Sequence, residues 1–224
     1  MSMLSNLELI RRVPLFALLT SAQAESVSDA VVKRRFKRGE IIVEQGDKSN
    51  TLFIILTGRA RVITADKRGR EVILATLQPG DYIGEMSLID NEAHSATVRA
   101  EVQTDMLCLG RAEFARCLPE NSSMAYAIMK GLVQRLRSAD RKIESLALMD
   151  VYGRVARALL EFAAPDRDGQ MAIRDRISRQ DIAKMVGASR EMVSRVMKDL
   201  EDRGFIQTRE DGSLLIKDRL STLG

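Results

Sequence analysis

The side chains best suited to recognition chemistry lie between Ile177 and Lys198. Ser178 can cap a first helix, with Asp181 three residues on; Gly187 can end that helix and Ser189 can cap a second one. A helix lying in the major groove contacts base edges with charged and hydrogen-bonding side chains. The segment therefore predicts a helix-turn-helix that binds double-stranded DNA. An ordinary solvated helix face is less favoured, because the caps, the glycine turn and the charged face coincide. That face consists of Arg190, Glu191, Ser194, Arg195 and Lys198.

The opposite faces of the two helices are apolar. We expect these faces to pack in the core, which leaves the charged face exposed. Farther along the chain, Phe205-Ile206 and Leu214-Leu-Ile216 flank the turn pair Asp211-Gly212. This pattern predicts a β-hairpin, the wing of a winged helix. The residues predicted to be buried are Ile182, Ala183 and Val186 on the first helix and Val193, Val196, Met197 and Leu200 on the second.

A second set of hydrogen-bonding residues lies in the middle of the chain. Gly84-Glu85-Met86-Ser87 is typical of a tight turn into a short helix, whose free N–H groups can cradle a phosphate. Taken alone, this run indicates no more than a turn. His94-Ser95-Ala96 follows closely, and His94 is the only histidine of the chain.

The composition argues against several other kinds of site. Neither of the two cysteines, Cys108 and Cys117, has a Cys-x-x-Cys partner, so no zinc or iron–sulfur site is predicted. A single histidine, with no nucleophile–base pair and no metal-ligand cluster, argues against an enzyme. Aromatic residues make up 4% of the chain and tryptophan is absent, which disfavours base-stacking recognition of single strands. The net charge of +4 suits an anionic partner.

The N-terminal segment superficially resembles a secretion signal, because Arg11-Arg12 precede the apolar run Val13–Leu19. The run is short and contains Pro14, and residues 7–10 already form an apolar patch before the arginines. We therefore expect an amphipathic packing segment. No stretch approaches transmembrane length, so no membrane partner is expected. The cysteine usage fits a reducing, cytoplasmic location, with Cys108 as a small core residue.

Strand and turn patterns fill the chain from Lys37 to about Leu109. Short apolar runs alternate with glycines at a spacing of roughly ten residues, which is typical of a β-barrel or jelly roll. The runs are residues 41–43, 52–56, 60–63 and 72–74.

A long helix is predicted from about residue 120 to Met149. Its apolar residues recur at alternating steps of three and four, which defines an a/d seam. A helix buried against its own barrel would show a similar stripe, but the regularity and the flanking charges favour a parallel dimer helix. The seam residues are Met129, Leu132, Leu136, Ala139, Ile143 and Leu146.

The remaining elements complete an α+β chain. Asp150 is predicted to cap a helix from Val151 to about Ala163, and Ala164–Gly169 to form a loop. The predicted division is residues 1–119 for an N-terminal β jelly roll, 120–149 for a dimerisation helix and 150–224 for a winged helix-turn-helix.

Four runs of sequence carry a resemblance to a known family. They are Gly80–Leu88, Ser95–Ala100, Leu146–Asp150 and the helix-turn-helix with Ser189–Arg195. Together and in this order they resemble the cyclic-AMP receptor protein/FNR (Crp/Fnr) family of bacterial transcription regulators, over nearly the whole chain. The resemblance implies an effector-binding jelly roll that takes a cyclic nucleotide, a homodimer, and a DNA-binding unit that contacts RNA polymerase. The N-terminal cysteine cluster of the FNR branch is missing, so oxygen sensing through an iron–sulfur cluster is not expected.

The resemblance also assigns roles in the helix-turn-helix. Arg190, Glu191 and Arg195 match the base-contacting residues of the family; arginine can pair with guanine, and glutamate can accept from cytosine N4. Because all three are retained, we expect inverted repeats with half-sites close to TGTGA. The residues expected on phosphates are Arg179, Gln180, Ser189 and Lys198.

On the effector side, the resemblance places Glu85 on a ribose 2′-hydroxyl and Ser95 on a phosphate oxygen. The family's phosphate-binding arginine is replaced by His94. A neutral imidazole offers no fixed bidentate charge, so phosphate binding is expected to be weaker or pH-dependent. The alternative is a surface-loop histidine with no role in binding.

A second departure from the family lies on the long helix, where the adenine-recognising Thr-Ser pair aligns with Ala139-Asp140. Ala139 offers no hydrogen bond, and Asp140 can accept from the N1–H and N2–H₂ edge of guanine. Arg135 and Asp140 also occupy g and e positions of the heptad repeat. An interhelical ion pair between Arg135 and the partner's Asp140 is therefore an equally supported alternative to guanine recognition.

The sequence thus predicts a dimeric DNA-binding transcription regulator controlled by a cyclic nucleotide, with cyclic di-GMP favoured over cyclic AMP. The alternatives are a cyclic AMP-responsive regulator and a regulator with a degenerate pocket that needs no small molecule. A nucleotide sensor that controls a kinase or a channel is disfavoured, because the helix-turn-helix lies on the same chain. The expected effector-binding residues are Gly84, Glu85, Met86, Ser87, His94, Ser95, Ala96, Arg135 and Asp140.

Overall fold

The computed structural model describes residues 5–11, 13–17, 19–120, 122–175, 177–209, 211–217 and 220, apart from the side chains of residues 117–123. These residues form eight α-helices and twelve strands. The chain divides into two compact units, Met1–Leu136 and Arg137–Gly224, and one long helix contributes to both. The predicted three-part division of the chain stays a prediction.

The N-terminal segment forms two short helices, α1 (Asn6–Ile10) and α2 (Ser21–Ala30), with a 3₁₀ turn between them. Ser5 and Thr20 cap these helices, each in a reciprocal capping box. Ile10 and Phe16 are almost fully buried in the core of the first unit. The expected packing segment is confirmed, although Arg12 and Leu18 of that prediction lie outside the described residues.

Two antiparallel four-stranded sheets make up the jelly roll of the first unit. One sheet has the order β1–β8–β3–β6 and the other β2–β7–β4–β5. Apolar residues from both sheets fill the space between them, and Cys108 lies there as expected, 8% exposed. The strands are β1 (Val32–Phe36), β2 (Ile41–Val43), β3 (Thr51–Thr57), β4 (Ala60–Ala65), β5 (Glu71–Leu77), β6 (Tyr82–Ile83), β7 (Thr97–Ala100) and β8 (Thr104–Gly110).

All four predicted apolar runs are strands, but the strand region begins earlier than predicted. The first strand, β1, reads Val-Lys-Arg-Arg-Phe, and four of its five residues are exposed. It lies at the edge of its sheet and pairs with β8. An edge strand can be charged and exposed, so it lacks the apolar signal on which the prediction depended.

Three helices follow or interrupt the sheets. Helix α3 (Glu85–Asp90) lies between β6 and β7, α4 (Arg111–Glu120) follows β8, and α5 (Ser122–Leu148) is the predicted long helix. One face of α5 packs on the jelly roll through Met124 and Ile128, which are 1% and 3% exposed.

The predicted seam of α5 lies mostly outside this packed face. Met129, Leu136, Ile143 and Leu146 are all more than half exposed in the single chain. Leu132 is the exception among the seam residues, because it is half-buried against the core of the first unit. No helix within the described residues is long and apolar enough to cross a membrane.

The second unit is a helical core with a small sheet. Asp150 caps the first helix as predicted, since its Oδ1 accepts the backbone N–H of Gly153 at 2.8 Å. The predicted loop from Ala164 begins instead with a two-residue strand, because Ala164 and Pro165 pair with Ala172 and Met171. The elements are α6 (Val151–Phe162), β9 (Ala164–Pro165), β10 (Met171–Ile173), α7 (Arg179–Val186), α8 (Arg190–Asp202), β11 (Ile206–Thr208) and β12 (Leu214–Ile216), with the sheet order β11–β12–β10–β9.

Candidate nucleotide and DNA sites

The helix-turn-helix has the predicted caps and turn. Ser178 Oγ accepts the N–H of Asp181 at 3.0 Å, and Ser189 Oγ accepts the N–H of Met192 at 3.2 Å. Gly187 adopts φ +65°, a left-handed conformation that side-chain-bearing residues rarely take, and so lets the chain turn between α7 and α8. The predicted buried residues lie in the core of this unit, with Val196 partly buried at its edge.

The predicted DNA-contacting side chains lie on one pair of helices. Arg190, Glu191 and Arg195 are exposed on α8. The pKa of Glu191 is lowered by hydrogen bonds from its own backbone N–H and from Ser189, with smaller contributions from Arg190 and Arg195. Its carboxylate is therefore ionised near neutral pH and can only accept hydrogen bonds. Of the residues predicted on phosphates, Gln180, Ser189 and Lys198 are exposed and Arg179 is half-buried.

An ion pair that the sequence analysis missed holds the wing hairpin. Arg209, which follows β11, lies with Nη1 2.8 Å from Asp166 Oδ2 and donates from Nη2 to Gln170 Oε1 at 2.7 Å. Asp166 Oδ1 in turn accepts the backbone N–H groups of Asp168 and Gln170, both at 2.9 Å. The Asp-rich loop was visible in the sequence, but its partner Arg209 lies too far along the chain to be paired with it by pattern.

The predicted effector turn starts at Gly84, where β6 meets α3. Gly84 has φ +94°, and a Cβ there would come 2.5 Å from the carbonyl oxygen of Thr51. Only glycine fits this close approach of β3 to the turn. Glu85 and Ser87 are buried behind it at 1% and 3% exposure, whereas Met86 is 48% exposed.

Glu85 forms an ion pair inside the first unit. Its Oε1 lies 2.5 Å from Nη1 of Arg135 on α5. The same guanidinium donates to the backbone carbonyl of Tyr82 and lies 5.0 Å from the centre of the Tyr82 ring. Burial raises the pKa of Glu85, and the charge of Arg135 opposes that rise.

His94 is buried rather than displayed on a surface loop. It is 8% exposed; Nδ1 lies 3.2 Å from Ser87 Oγ and Nε2 lies 2.9 Å from Ser49 Oγ. Its backbone carbonyl accepts the N–H of Gly46, and its backbone N–H donates to the carbonyl of Asp47. Burial lowers the pKa of His94, and Asp47 partly opposes this. His94 is therefore not a surface-loop residue, and its role in binding stays a prediction.

The structure brings some predicted effector residues together and leaves others apart. Glu85 meets Arg135 and Ser87 meets His94, while Ser95 is exposed and Ala96 is 7% exposed. Asp140 is exposed on α5 and belongs to the second unit. The sequence analysis assigned no role to three further residues around this site, namely Tyr82, Ser49 and Arg111. Arg111 donates to the Ser87 carbonyl at 2.8 Å.

Comparison with known proteins matches both units of the chain. Residues 33–121 match the cyclic nucleotide-binding domain, and residues 153–220 match the Crp-like helix-turn-helix domain. The cAMP-activated global transcriptional regulator Vfr of Pseudomonas aeruginosa is 37% identical over 186 residues, which cover 79% of this chain and 86% of Vfr. The chain belongs to the Crp/Fnr family of transcription regulators.

Two further proteins are similar to this Crp/Fnr regulator. The cAMP-activated global transcriptional regulator CRP of Salmonella typhimurium is 35% identical over 171 residues, with 74% of this chain and 80% of CRP covered. The c-di-GMP-responsive global regulator CLP of Xanthomonas campestris shares the fold with a TM-score of 0.78 at 26% identity, over 88% of this chain and 100% of that chain.

The matched domains and relatives have one general function in common. The protein is a cyclic-nucleotide-regulated, DNA-binding transcription regulator of the Crp/Fnr type. Its relatives are transcription regulators rather than enzymes. The predicted family and the predicted fold class are confirmed.

Proposed function

We propose that this regulator binds DNA as a homodimer, at inverted repeats with TGTGA-like half-sites. The observation that carries the proposal is the exposure of Arg190, Glu191 and Arg195 on one face of α8. These three side chains match the family's base-contacting residues, and their chemistry suits guanine and cytosine edges. Arg179, Gln180, Ser189 and Lys198 are assigned to phosphates, where they would set the register of the helix.

The dimer is proposed from the exposed seam of α5. A continuous apolar stripe of this kind is stable when a second copy covers it in a parallel coiled coil. Twofold symmetry would then place the half-site centres about 34–36 Å apart, one turn of the duplex. The division into an effector domain (1–119), a dimerisation helix (120–149) and a DNA-binding domain (150–224) is part of the same proposal, as is contact with RNA polymerase.

Selection of binding sites from random duplex DNA tests this assignment. The expected product is a palindrome with TGTGA-like halves whose centres are one helical turn apart. Recovery of an unrelated or non-palindromic sequence would refute the assignment of the three base-contacting residues.

For the effector, the proposal is a guanine-containing cyclic nucleotide, with cyclic di-GMP as the leading candidate. The neutral, buried His94 stands where the family has a phosphate-binding arginine, which weakens the case for cyclic AMP. Asp140 can accept from the guanine edge but cannot donate to adenine ring nitrogens. A structural relative, CLP, is described as c-di-GMP-responsive. Gly84, Met86, Ser87, Ser95 and Ala96 complete the proposed contacts, around Glu85, His94, Arg135 and Asp140.

Calorimetric titration with cyclic AMP, cyclic GMP and cyclic di-GMP, with and without a palindromic duplex, tests the effector. Cyclic di-GMP is expected to bind most tightly and to change DNA affinity. Submicromolar binding of cyclic AMP would instead favour the activity named for Vfr and CRP.

A second candidate is a regulator with a degenerate pocket that needs no small molecule. One observation favours it: the three buried polar side chains of the predicted site already have partners within the chain, because Glu85 pairs with Arg135, and Ser87 lies within hydrogen-bond distance of His94. In that case the nucleotide-free protein would bind its palindrome fully, and no nucleotide would alter the affinity.

A further inference from the structure

One apolar side chain lies among the charged residues of α8. Met192 belongs to the first turn of this helix, directly after Arg190 and Glu191, and it is 47% exposed. In the helix-turn-helix, residues 177–202, all of which the structure describes, no other large apolar side chain is as exposed. The apolar side of α8 is otherwise buried in the core of the second unit, through Val193, Met197 and Leu200.

The position of Met192 is fixed by the N-terminal cap of α8. Ser189 Oγ accepts the backbone N–H of Met192 at 3.2 Å, which holds the first turn in place. Residues three and four apart are neighbours on a helix surface, so Met192 lies next to Arg195 on one side and next to the half-buried Val196 on the other. Met192 therefore lies at the border between the core face and the charged face, beside a proposed base-contacting arginine.

An apolar side chain at this place suits one group of the major groove. The N-terminal residues of a recognition helix contact base edges there. Most groups on those edges are hydrogen-bond donors or acceptors, whereas thymine presents its 5-methyl group. The methionine side chain is flexible and polarizable, so it adapts to an apolar contact surface. The charged ends of Arg190, Glu191 and Arg195 recognise polar groups and leave a methyl group unread.

Resting on the proposed role of α8 in base contact, we propose that Met192 is a specificity-determining residue that recognises the 5-methyl group of one thymine in each half-site. The proposed half-site TGTGA offers thymines on both strands, because its adenine pairs with one. Burial of one methyl group against Met192 corresponds to about fourfold in affinity for each half-site, and to about 15-fold for a symmetric duplex.

Replacement of thymine by deoxyuridine tests the contact, because it removes the methyl group and keeps the base pair. The full-length protein is titrated at constant salt concentration with the duplex recovered by binding-site selection. Each thymine of the half-site is replaced in turn, in both halves together. At one position the replacement is expected to weaken wild-type binding by about 15-fold. A thymine in the spacer between the half-sites is the control on the DNA, and its replacement should leave affinity unchanged.

Three variants complete the test. Met192→Ala should weaken binding to the thymine duplex by a similar factor, and it should no longer distinguish thymine from uracil at that position. Met192→Leu keeps an apolar side chain of similar size and should retain the preference for thymine. The matched control is Asp202→Ala, at the opposite, exposed end of α8, which should keep the thymine-to-uracil ratio of wild type. Thermal unfolding shows that each variant is folded.

The outcomes separate the thymine contact from the proposed DNA site. If wild type binds its selected duplex but tolerates every uracil, or if Met192→Ala keeps the sensitivity to uracil, the contact is wrong while the proposed DNA binding stands. A selected half-site that differs from TGTGA is tested in the same way, and one without thymine on either strand contradicts the contact. A protein with no preference among duplexes would refute both.

Discussion

The residues of the proposed DNA site and of the proposed effector site differ in burial. The side chains of α8 that are proposed to contact DNA are exposed, so their contribution depends on the partner that they meet. The effector-side residues Glu85 and His94 are buried, so their charge states depend on the fold itself. Mutations on the two sides should therefore report on different quantities: affinity for the first, and stability or pH dependence for the second.

His94 should make the stability of the protein depend on pH. Because burial lowers the pKa of His94, the unfolded chain takes up a proton at a higher pH than the folded chain. The free energy of unfolding should consequently rise with pH through this window and fall as the pH drops from about 7 to about 5. Urea denaturation at a series of pH values should show a steeper fall for wild type than for His94→Gln. Parallel curves for the two proteins would contradict the burial argument.

Arg190 should determine sequence preference, whereas Lys198 should affect all sequences alike. Arg190→Ala is expected to cost about 1–3 kcal/mol against the preferred half-site and to relax discrimination at one base pair, because a bidentate base contact is lost. Lys198→Ala, as the matched control, should weaken binding to every duplex and make the salt dependence shallower. Gel shifts over a set of single-base substitutions and salt concentrations measure both effects. Equal loss on all sequences for Arg190→Ala would assign it to a phosphate instead.

Contacts between secondary-structure elements depend on details that hydrophobic patterns do not carry. Helix α5 was predicted from its apolar period, but the face that it packs on the jelly roll shares only Leu132 with the seam that the period predicted. The contact between β6 and α5 includes the close approach of Gly131 to the Tyr82 hydroxyl.

Gly131→Ala should destabilise the protein even though alanine favours helices by about 1 kcal/mol over glycine. The new Cβ overlaps the Tyr82 hydroxyl, and overpacking of this kind costs about 1–3 kcal/mol. Thermal or urea unfolding measures the loss. Tyr82→Phe in the Gly131→Ala background should recover part of it, since the overlapping oxygen is gone. Tyr82→Phe alone is the control, and strictly additive effects of the two changes would argue against the contact.

At the scale of the whole molecule, the proposed dimer depends on the exposed seam of α5. Ile143 is 64% exposed in the single chain, so a charge there costs little in a monomer and much in a coiled-coil core. Ile143→Glu should yield monomers at concentrations where wild type is dimeric, and reduce affinity for a palindromic duplex by about 100-fold. Sedimentation equilibrium and gel shifts measure the two effects.

Gln134→Glu is the matched control for that experiment, because it adds the same charge to an exposed position of α5 outside the seam. It should leave the dimer intact. A monomeric wild-type protein, or an Ile143→Glu variant that remains dimeric, would remove the basis for a twofold DNA-binding molecule.

The sequence alone determined the features whose causes are local. Ser178, Gly187 and Ser189 marked the ends of α7 and α8, because caps and left-handed turns involve groups within four residues of each other. The same holds for Asp150 and for the apolar runs that became β2 to β5. The polar edge strand β1 and the two-residue strand β9 were not predicted, since neither carries a periodic apolar signal.

Only the tertiary structure decided the environment of the effector-side residues. The Arg135–Glu85 bond joins groups 50 residues apart, and the His94–Ser49 bond joins groups 45 residues apart. A residue's type and its neighbours in the chain set its chemistry, but its burial and its distant partners arise when the sheets close and α5 packs on them. That is why Glu85 and His94 could be proposed as site residues from the sequence, while their pairing with Arg135 and Ser49 could not be predicted from it.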